Sequence, residues 1–292
     1  MFRIALYLLP LALIAQQEPV RIAYGCPADE LQNAGLLCTE DEPCPIYLEI
    51  NAITAAGKRI LIAGDIHATA ATLSSVLLSS EDGGLTWKEP AARITGTALD
   101  QVQALDADHA WAAGETQYPL TRDPYFLITT DGGASWRRRD VTEDGGPGSV
   151  LRFWFDSDQH GELIVDGGRS APGGRYSAYE SETGGESWMI RSTTDQLPKL
   201  RRAAALTDNS DYRVQAMPGG KAYAIEKRTG ETWQPIALMP IEIANCKVKA
   251  PEAKEPQPET EQPPAKDYVE ELKLGSPAAK TSVPPAKKGP GN

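Results

Sequence analysis

Three histidines and their charged neighbours are the side chains in this sequence whose types could do acid–base or metal chemistry. His109 and His160 each close a short acidic stretch, Asp106–Asp108 and Asp156–Asp158 respectively. Carboxylates in such turns usually accept hydrogen bonds from backbone amides, and neither stretch has the glycine and the bidentate glutamate of a calcium loop. We therefore expect no metal in these turns. His67 stands apart, and we expect it to be a solvated loop residue.

Signatures of nucleotide binding and of serine-hydrolase chemistry do not occur. Glycine-rich stretches at 145–149 and 167–174 lack the Lys-Ser/Thr pair and the following helix of a phosphate-binding loop. A Gly-x-Ser-x-Gly nucleophile elbow is also missing. The sequence accordingly predicts no cofactor.

Composition argues against two classes of partner. The 292 residues include 29 basic and 40 acidic side chains, which gives a formal net charge of −11. An acidic surface repels both phosphate backbones and anionic lipid headgroups. Nucleic acid and membrane surfaces are therefore not expected partners. The 41% hydrophobic content is that of a globular protein.

The two ends of the chain differ from its middle. Arg3 followed by the apolar run Ile4–Ala15 has the order and length of a secretory signal, which we assign to residues 1–15. This run is too short to span a bilayer, so no membrane insertion is expected after its removal. Residues 16–44 form an N-terminal extension. The proline-rich stretch 247–292 is predicted to be a disordered tail.

An eight-residue pattern recurs within residues 45–246. It stands at 80–87 (SEDGGLTW), at 129–136 (TTDGGASW) and at 181–188 (SETGGESW), and a shortened copy, RTGETW, stands at 228–233. Successive tryptophans of the pattern lie 49, 52 and 45 residues apart. Repetition at about 40 to 50 residues is typical of propeller blades, and the segments between the copies fit four strands per unit.

The octapeptide resembles the Asp-box, S/T-x-D-x-G-x-T/S-W, of the BNR repeat families, which include sialidases, sortilin-type domains and photosystem II assembly-factor-like proteins. In those families the box joins the third and fourth strands of a blade, away from the central site. The resemblance implies a structural role, in which the aspartate accepts hydrogen bonds, the glycines permit the turn and the tryptophan packs on the blade. The positions concerned are Ser80, Asp82, Gly84, Thr86, Trp87, Thr129, Asp131, Gly133, Ser135, Trp136, Ser181, Gly185, Ser187, Trp188, Gly230, Thr232 and Trp233.

We predict an all-β fold, a small β-propeller of about four four-stranded blades over residues 45–246. Four blades is the lower limit for a propeller. A small closed ring is our preferred interpretation. An incomplete ring that pairs with a partner, and a larger ring with unrecognised blades, remain open alternatives.

The loops after the second and fourth strands of each unit should meet on the face opposite the boxes. Mixed charges on this face suit a protein or peptide partner, and solvated loops without a partner are the alternative interpretation. The predicted binding face consists of Asp65, His67, Glu115, Arg122, Asp123, Asp166, Arg169, Arg175, Arg201 and Arg202.

Sialidase-like glycoside hydrolysis, or carbohydrate binding, is the functional alternative that the resemblance raises. A sialidase needs three converging arginines, a tyrosine nucleophile with its glutamate, and an aspartate acid/base. The F/Y-R-I-P sequence of that family is matched only in its Arg-Ile by Val20–Ala23. We therefore predict an exported, non-enzymatic interaction or assembly module.

The four cysteines form an even set in a chain that we expect to be exported, where disulfides persist. Three pairings are possible. Cys44 precedes the first unit and Cys246 follows the last, so closure of the ring should bring these two together. We predict Cys44–Cys246 and Cys26–Cys38 bonds. A zinc site is not expected, because there is no Cys-x-x-Cys pair and no nearby histidine.

Overall fold

The computed structural model describes residues 20–117, 121–199 and 211–247, and these ranges are almost entirely β-structure. A short strand, β1 (Val20–Ile22), precedes helix α1 (Ala28–Asn33), and four antiparallel sheets follow in chain order. We call these sheets blades 1 to 4. The all-β propeller prediction is confirmed.

Blades 1 and 2 are adjacent sheets. Blade 1 holds β2 (Ile46–Ala56), β3 (Arg59–Ala68) and β4 (Thr72–Ser80), and blade 2 holds β5 (Thr97–Ala104), β6 (Ala110–Thr116), β7 (Arg122–Thr129) and β8 (Arg137–Asp140). The fourth strand expected in blade 1 is reduced to a two-way backbone hydrogen bond between Ser79 and Lys88, at 2.8 and 2.9 Å. Blade 1 is therefore three-stranded.

Blade 3 is a regular four-stranded sheet, whereas the fourth strand of blade 4 comes from the N-terminal part of the chain. Blade 3 holds β9 (Ser149–Phe155), β10 (Gly161–Asp166), β11 (Tyr176–Ser181) and β12 (Met189–Thr194). Blade 4 holds β13 (Tyr212–Ala216), β14 (Ala222–Thr229) and β15 (Thr232–Ile243). Strand β1 pairs in parallel with the end of β15, with Val20 opposite Ile241 and Ile22 opposite Ile243. The N-terminal extension thus supplies the outer strand of blade 4.

Three hydrophobic cores lie between neighbouring blades, and each contains one tryptophan of the octapeptide hairpins. Trp87 packs in the core between blades 4 and 1, Trp136 between blades 1 and 2, and Trp188 between blades 2 and 3. The last core is the most aromatic: Trp111 stacks on Phe155 with ring centroids 3.9 Å apart. The hairpins therefore fasten each blade to the one before it.

Side-chain hydrogen bonds close the octapeptide hairpins. Asp131 accepts from the Ser135 amide at 3.0 Å and from the Ser135 hydroxyl at 2.6 Å, and the Gly133 amide donates to Thr129 Oγ1 at 2.8 Å. Asp82 accepts from Thr86 in the same way. In the third copy, Thr183 Oγ1 takes the place of the carboxylate and accepts from the Ser187 amide at 3.0 Å.

Blades 4 and 1 meet at a seam, where β13 lies beside β2. The Tyr223 hydroxyl donates to the Leu48 carbonyl across this seam at 2.6 Å. Between blades 3 and 4, the described residues form no hydrophobic cluster, and residues 200–210 between them lie outside the described ranges. Closure on that side stays a prediction.

The predicted disulfide pairing is wrong. The structure bonds Cys26 to Cys246, with Cα atoms 5.4 Å apart, and Cys38 to Cys44, at 5.2 Å. The cause is the parallel pairing of β1 with β15, which carries Cys26, just after β1, to Cys246, just after β15. Cys44 does meet Cys246, as expected, but through backbone hydrogen bonds of 3.0 and 2.9 Å.

Candidate functional site

An open cavity of about 440 Å³ lies where blades 1 and 2 meet. Its polar lining comes from the first strands of the two blades, β2 and β5, from β3, and from the residues that follow β3 and β6. We call β2 and β5 the inner strands. The charged and amide side chains that line the cavity are those of Glu49, Asn51, Asp65, His67, Asp100 and Gln117. Three of the six carry carboxylates, so the cavity is acidic.

Two β-bulges place side chains at this cavity. The pairing of β2 with β3 shifts register at Asn51, and the pairing of β5 with β6 shifts at Asp100. A bulge bends its strand and re-aims the extra residue. Glycine is required opposite each bulge, because a Cβ on Gly64 or Gly114 would lie 2.0 Å from a carbonyl oxygen of the inner strand. The same local geometry therefore occurs in both blades.

The amide of Asn51 links the carboxylates of the two blades. Its Nδ2 donates to Asp65 Oδ2 at 3.1 Å and lies 3.3 Å from Asp100 Oδ1. It also donates to the Leu99 carbonyl at 3.1 Å. Asn51 thus holds two acidic side chains close together without neutralising either.

Burial raises the pKa values of three carboxyl groups in this cluster. Glu115 is 4% exposed, and its pKa rises to about 8, first through burial and then through the charge of Asp100. Burial also raises the pKa of Asp65 to about 6 and that of Asp100 above its usual range. Glu115 therefore keeps its proton at neutral pH and shares a hydrogen bond with Asp100.

Glu115 is enclosed by its own neighbours. Its carboxyl group accepts from Gln117 Nε2 at 3.3 Å and from the Val150 amide of blade 3 at 3.4 Å. The hydrogen bond from the Val150 amide therefore connects the carboxyl groups of blades 1 and 2 to blade 3. Asp65, Asp100 and Glu49 are left as the carboxylates that line the cavity itself.

An aromatic pair lies beside the cavity, and its member His67 is one of the lining residues. Tyr47 stacks on His67 with ring centroids 5.4 Å apart, and 46% of Tyr47 is exposed. His67 Nε2 lies 3.7 Å from Glu49 Oε2, close enough for an ion pair when the imidazole is protonated. An exposed tyrosine ring therefore packs against one of the residues that line the acidic cavity.

Only part of the predicted binding face comes together. Asp65, His67 and Glu115 join one cluster, but they lie within strands β3 and β6 and not in the loops where they were predicted. The expectation that His67 is a solvated loop residue is wrong, because it is a half-buried residue of β3. Arg122 pairs with its neighbour Asp123 at 2.7 Å, and Arg175 pairs with Asp166 at 2.6 Å. Arg169 is exposed, and Arg201 and Arg202 lie outside the described residues.

Sequence reasoning missed Glu49, Asn51, Asp100 and Gln117, which the structure adds to the site. One signal was available: an acidic residue directly follows a glycine of the second strand in both blades, as Gly64-Asp65 and Gly114-Glu115. Within the described ranges, carboxylates line the cavity, and the converging arginines of a sialidase are not found there.

A second group of ligand-type side chains lies in blade 3. One ligand atom each of His160, Glu162 and Glu180 lies within 4.8 Å of the others. His160 Nδ1 also contacts Asp156 at 3.0 Å, and Arg191 forms an ion pair with Glu180. A metal ion would have to displace this arginine, so we assign none.

Comparisons with known proteins give distant likenesses. No protein-family model matches the chain, and no curated protein does. Among solved structures, it is similar to YCF48 bound to a D1 peptide (20% identity, 66% of this chain and 54% of that one, TM-score 0.38) and to YCF48 from Cyanidioschyzon merolae (21%, 68% and 57%, TM-score 0.35). It is also similar to the phage phi92 endosialidase (9%, 68% and 48%, TM-score 0.39). The chain thus spans about half the length of these proteins.

In the part of the chain that the structure describes, no helix is long and apolar enough to cross a membrane.

Proposed function

We propose that this protein is an exported, non-enzymatic interaction module that binds a cationic side chain of a protein or peptide in the cavity between blades 1 and 2. In the same proposal, the octapeptide hairpins are Asp-boxes, and the chain belongs with the BNR repeat propellers. The hairpin hydrogen bonds of Asp82 and Asp131 support this assignment. Export is supported by the two disulfides, since such bonds persist in oxidising compartments.

The acidic lining of the cavity is the observation that carries the proposal. Glu49, Asp65 and Asp100 line it, and burial raises the pKa values of Asp65 and Asp100. A raised pKa means that the folded protein holds these carboxylates at a cost in free energy. A lysine or arginine side chain in the cavity would remove part of that cost, and Tyr47 could pack against its alkyl stem.

Glycoside hydrolysis is the second candidate, because Glu115 is protonated at neutral pH and lies beside Asp100. A glycosidase pairs such an acid with a second carboxylate. Glu115, however, is almost fully buried and is hydrogen-bonded to Gln117 and to Val150. A general acid must reach the leaving-group oxygen, and the enclosure of Glu115 opposes this role.

Binding can be tested with arrayed random peptides and, in parallel, a glycan array. We expect the captured peptides to be enriched in lysine or arginine. Asp65→Asn and Asp100→Asn should each weaken binding at least about tenfold, because each removes a charge next to the ligand. Glu81→Gln is the matched control: Glu81 is an exposed acid that pairs with Lys88 on the hairpin side, and its loss should leave binding unchanged.

Three results would contradict the proposal. The first is a set of captured peptides with no basic preference, and the second is binding by both cavity variants that equals binding by the parent. Glycan capture with turnover of fluorogenic glycosides would favour the hydrolase. Melting curves of all variants establish that the comparison is made between folded proteins.

A further inference from the structure

All four cysteines converge on the seam between blades 4 and 1. Besides its bond to Cys26, Cys246 faces Cys44 in an antiparallel backbone pair, with N–H···O distances of 3.0 Å and 2.9 Å. The Cα atoms of such a pair lie about 5.5 Å apart, inside the range of about 4.4 to 6.8 Å that a disulfide spans. Cys246 therefore has two cysteines within bonding reach.

We infer that Cys246 exchanges its disulfide partner from Cys26 to Cys44 when a dithiol reductant acts on the protein. The dithiol first reduces the Cys38–Cys44 bond: it becomes a disulfide itself, and Cys38 and Cys44 become thiols. The Cys44 thiolate then attacks Cys246 Sγ, so the Cys44–Cys246 bond forms as the Cys26–Cys246 bond breaks. Cys26 leaves as a thiolate and takes up the proton that Cys44 released.

The order of these steps follows from loop length. The Cys38–Cys44 bond spans six residues, beside exposed residues 39–42, whereas the Cys26–Cys246 bond spans 220 residues. Burial does not distinguish the two bonds, because each joins one buried cysteine, Cys38 or Cys246, to one half-buried cysteine, Cys44 or Cys26. A bond across a short loop adds less stability than one across a long loop. Opening the Cys38–Cys44 bond therefore costs the fold less, and we place its reduction first.

Exchange keeps the seam covalently closed while it frees the N-terminal segment. The Cys44–Cys246 bond still joins the two ends of the ring, but β1 loses its covalent tie to blade 4. Strand β1 is then held on β15 by three residue pairs, by the Arg21–Glu242 ion pair at 3.1 Å and by burial of Ile22. The hydrogen bond from Arg93 to the Ala23 carbonyl at 2.6 Å adds one further contact. Release of β1 would open the edge of β15 at Ile241–Ile243 to another extended strand.

Two matched variants of the full chain test the exchange. Cys38→Ala leaves Cys44 as a free thiol beside Cys246, whereas Cys44→Ala leaves Cys38, which has no backbone pairing with Cys246. Both are equilibrated in a glutathione redox buffer, alkylated and mapped without reduction. We expect Cys38→Ala to yield both Cys26–Cys246 and Cys44–Cys246 peptides, and Cys44→Ala to yield only Cys26–Cys246.

Amide exchange at Val20–Ile22 gives a second measurement, and it should be faster in Cys38→Ala than in Cys44→Ala. The inference fails if Cys38→Ala keeps only the Cys26–Cys246 bond with Cys44 fully alkylated. It also fails if both variants exchange equally, since the backbone pair would then have no influence. Should Cys38→Ala not fold, brief dithiothreitol treatment of the unaltered chain must produce the Cys44–Cys246 peptide before free Cys246, or the inference is wrong.

Discussion

Asp131 shows how one side chain can hold a turn through its charge. The Ser135 hydroxyl, the Ser135 amide and the Thr129 hydroxyl, in that order of effect, lower the pKa of Asp131 to about 2. In an unfolded chain the pKa is about 3.9. The carboxylate therefore stabilises the fold fully above pH ~4, and this contribution is lost as the pH falls towards about 2.

Asp131→Asn should consequently lower the melting temperature at pH 7 and have a smaller effect near pH 2. Thermal melts of parent and variant across this range provide the measurement. Asp82 has the same lowered pKa and remains in both proteins, so only the difference between the two curves is informative. A difference that does not change with pH would contradict this account.

Glu115 has the opposite linkage to pH. Burial, together with the charge of Asp100, raises its pKa to about 8 in the fold, against about 4.3 in an unfolded chain. The protonated form is therefore favoured in the fold, and the stability it contributes is lost as the pH rises from about 4 to about 8. Glu115→Gln, which cannot ionise, should match the parent near pH 4 and be more stable than the parent at pH 9. Urea unfolding at the two pH values tests this, and equal stability at pH 9 would refute it.

At the scale of the strand, Gly64 is the residue on which the first bulge depends. An added Cβ would lie 2.0 Å from the Glu49 carbonyl oxygen. This oxygen belongs to the backbone, so no side-chain rotation can relieve the clash. Gly64→Ala should therefore cost about 3 kcal/mol, the upper end of overpacking effects, and should impair peptide binding. Gly25→Ala is the control, because a Cβ there has no neighbour within 4 Å. A Gly64→Ala variant with parental stability would show that the bulge is not fixed by this glycine.

Blade packing depends on Trp111 more than on the hairpin tryptophans. Trp111 has no exposed surface, stacks on Phe155 and donates from Nε1 to the Gly184 carbonyl of blade 3 at 2.8 Å. Trp111→Ala should cost about 3 to 5 kcal/mol. Trp136 is only half-buried, so Trp136→Ala should cost less. Chemical denaturation of both variants gives the comparison, and the reverse order would be inconsistent with the packing seen here.

At the scale of the whole molecule, the two disulfides differ in what they constrain. In the chain-entropy model, a bond that spans 220 residues contributes about 5 kcal/mol and one that spans six residues about 2 kcal/mol. The Cys26→Ala/Cys246→Ala double variant should therefore unfold at a distinctly lower denaturant concentration than the Cys38→Ala/Cys44→Ala double variant. Similar midpoints for the two would mean that the seam holds without its covalent link.

The sequence by itself determined the repeat, the hairpins and the four blades, because these depend on residues close together in the chain. Asp131, Ser135 and Trp136 lie within a few positions of one another, and their types dictate the turn that they form. The number of octapeptide copies, at intervals of about 50 residues, then gave the number of blades. Asp65 and Glu115 could also be named as candidate site residues from the sequence, although each lies within a second strand and not in the loop that follows it.

Only the tertiary structure decided the rest. Asn51 and Asp100 reach the cavity through bulges, whose positions depend on how two strands register rather than on either strand alone. The pairing of Cys26 with Cys246 depends on β1 adding to β15 from more than 200 residues away. Contacts between residues so far apart in the chain depend on how blades 4 and 1 pack at the seam. No local pattern in the sequence contains that information.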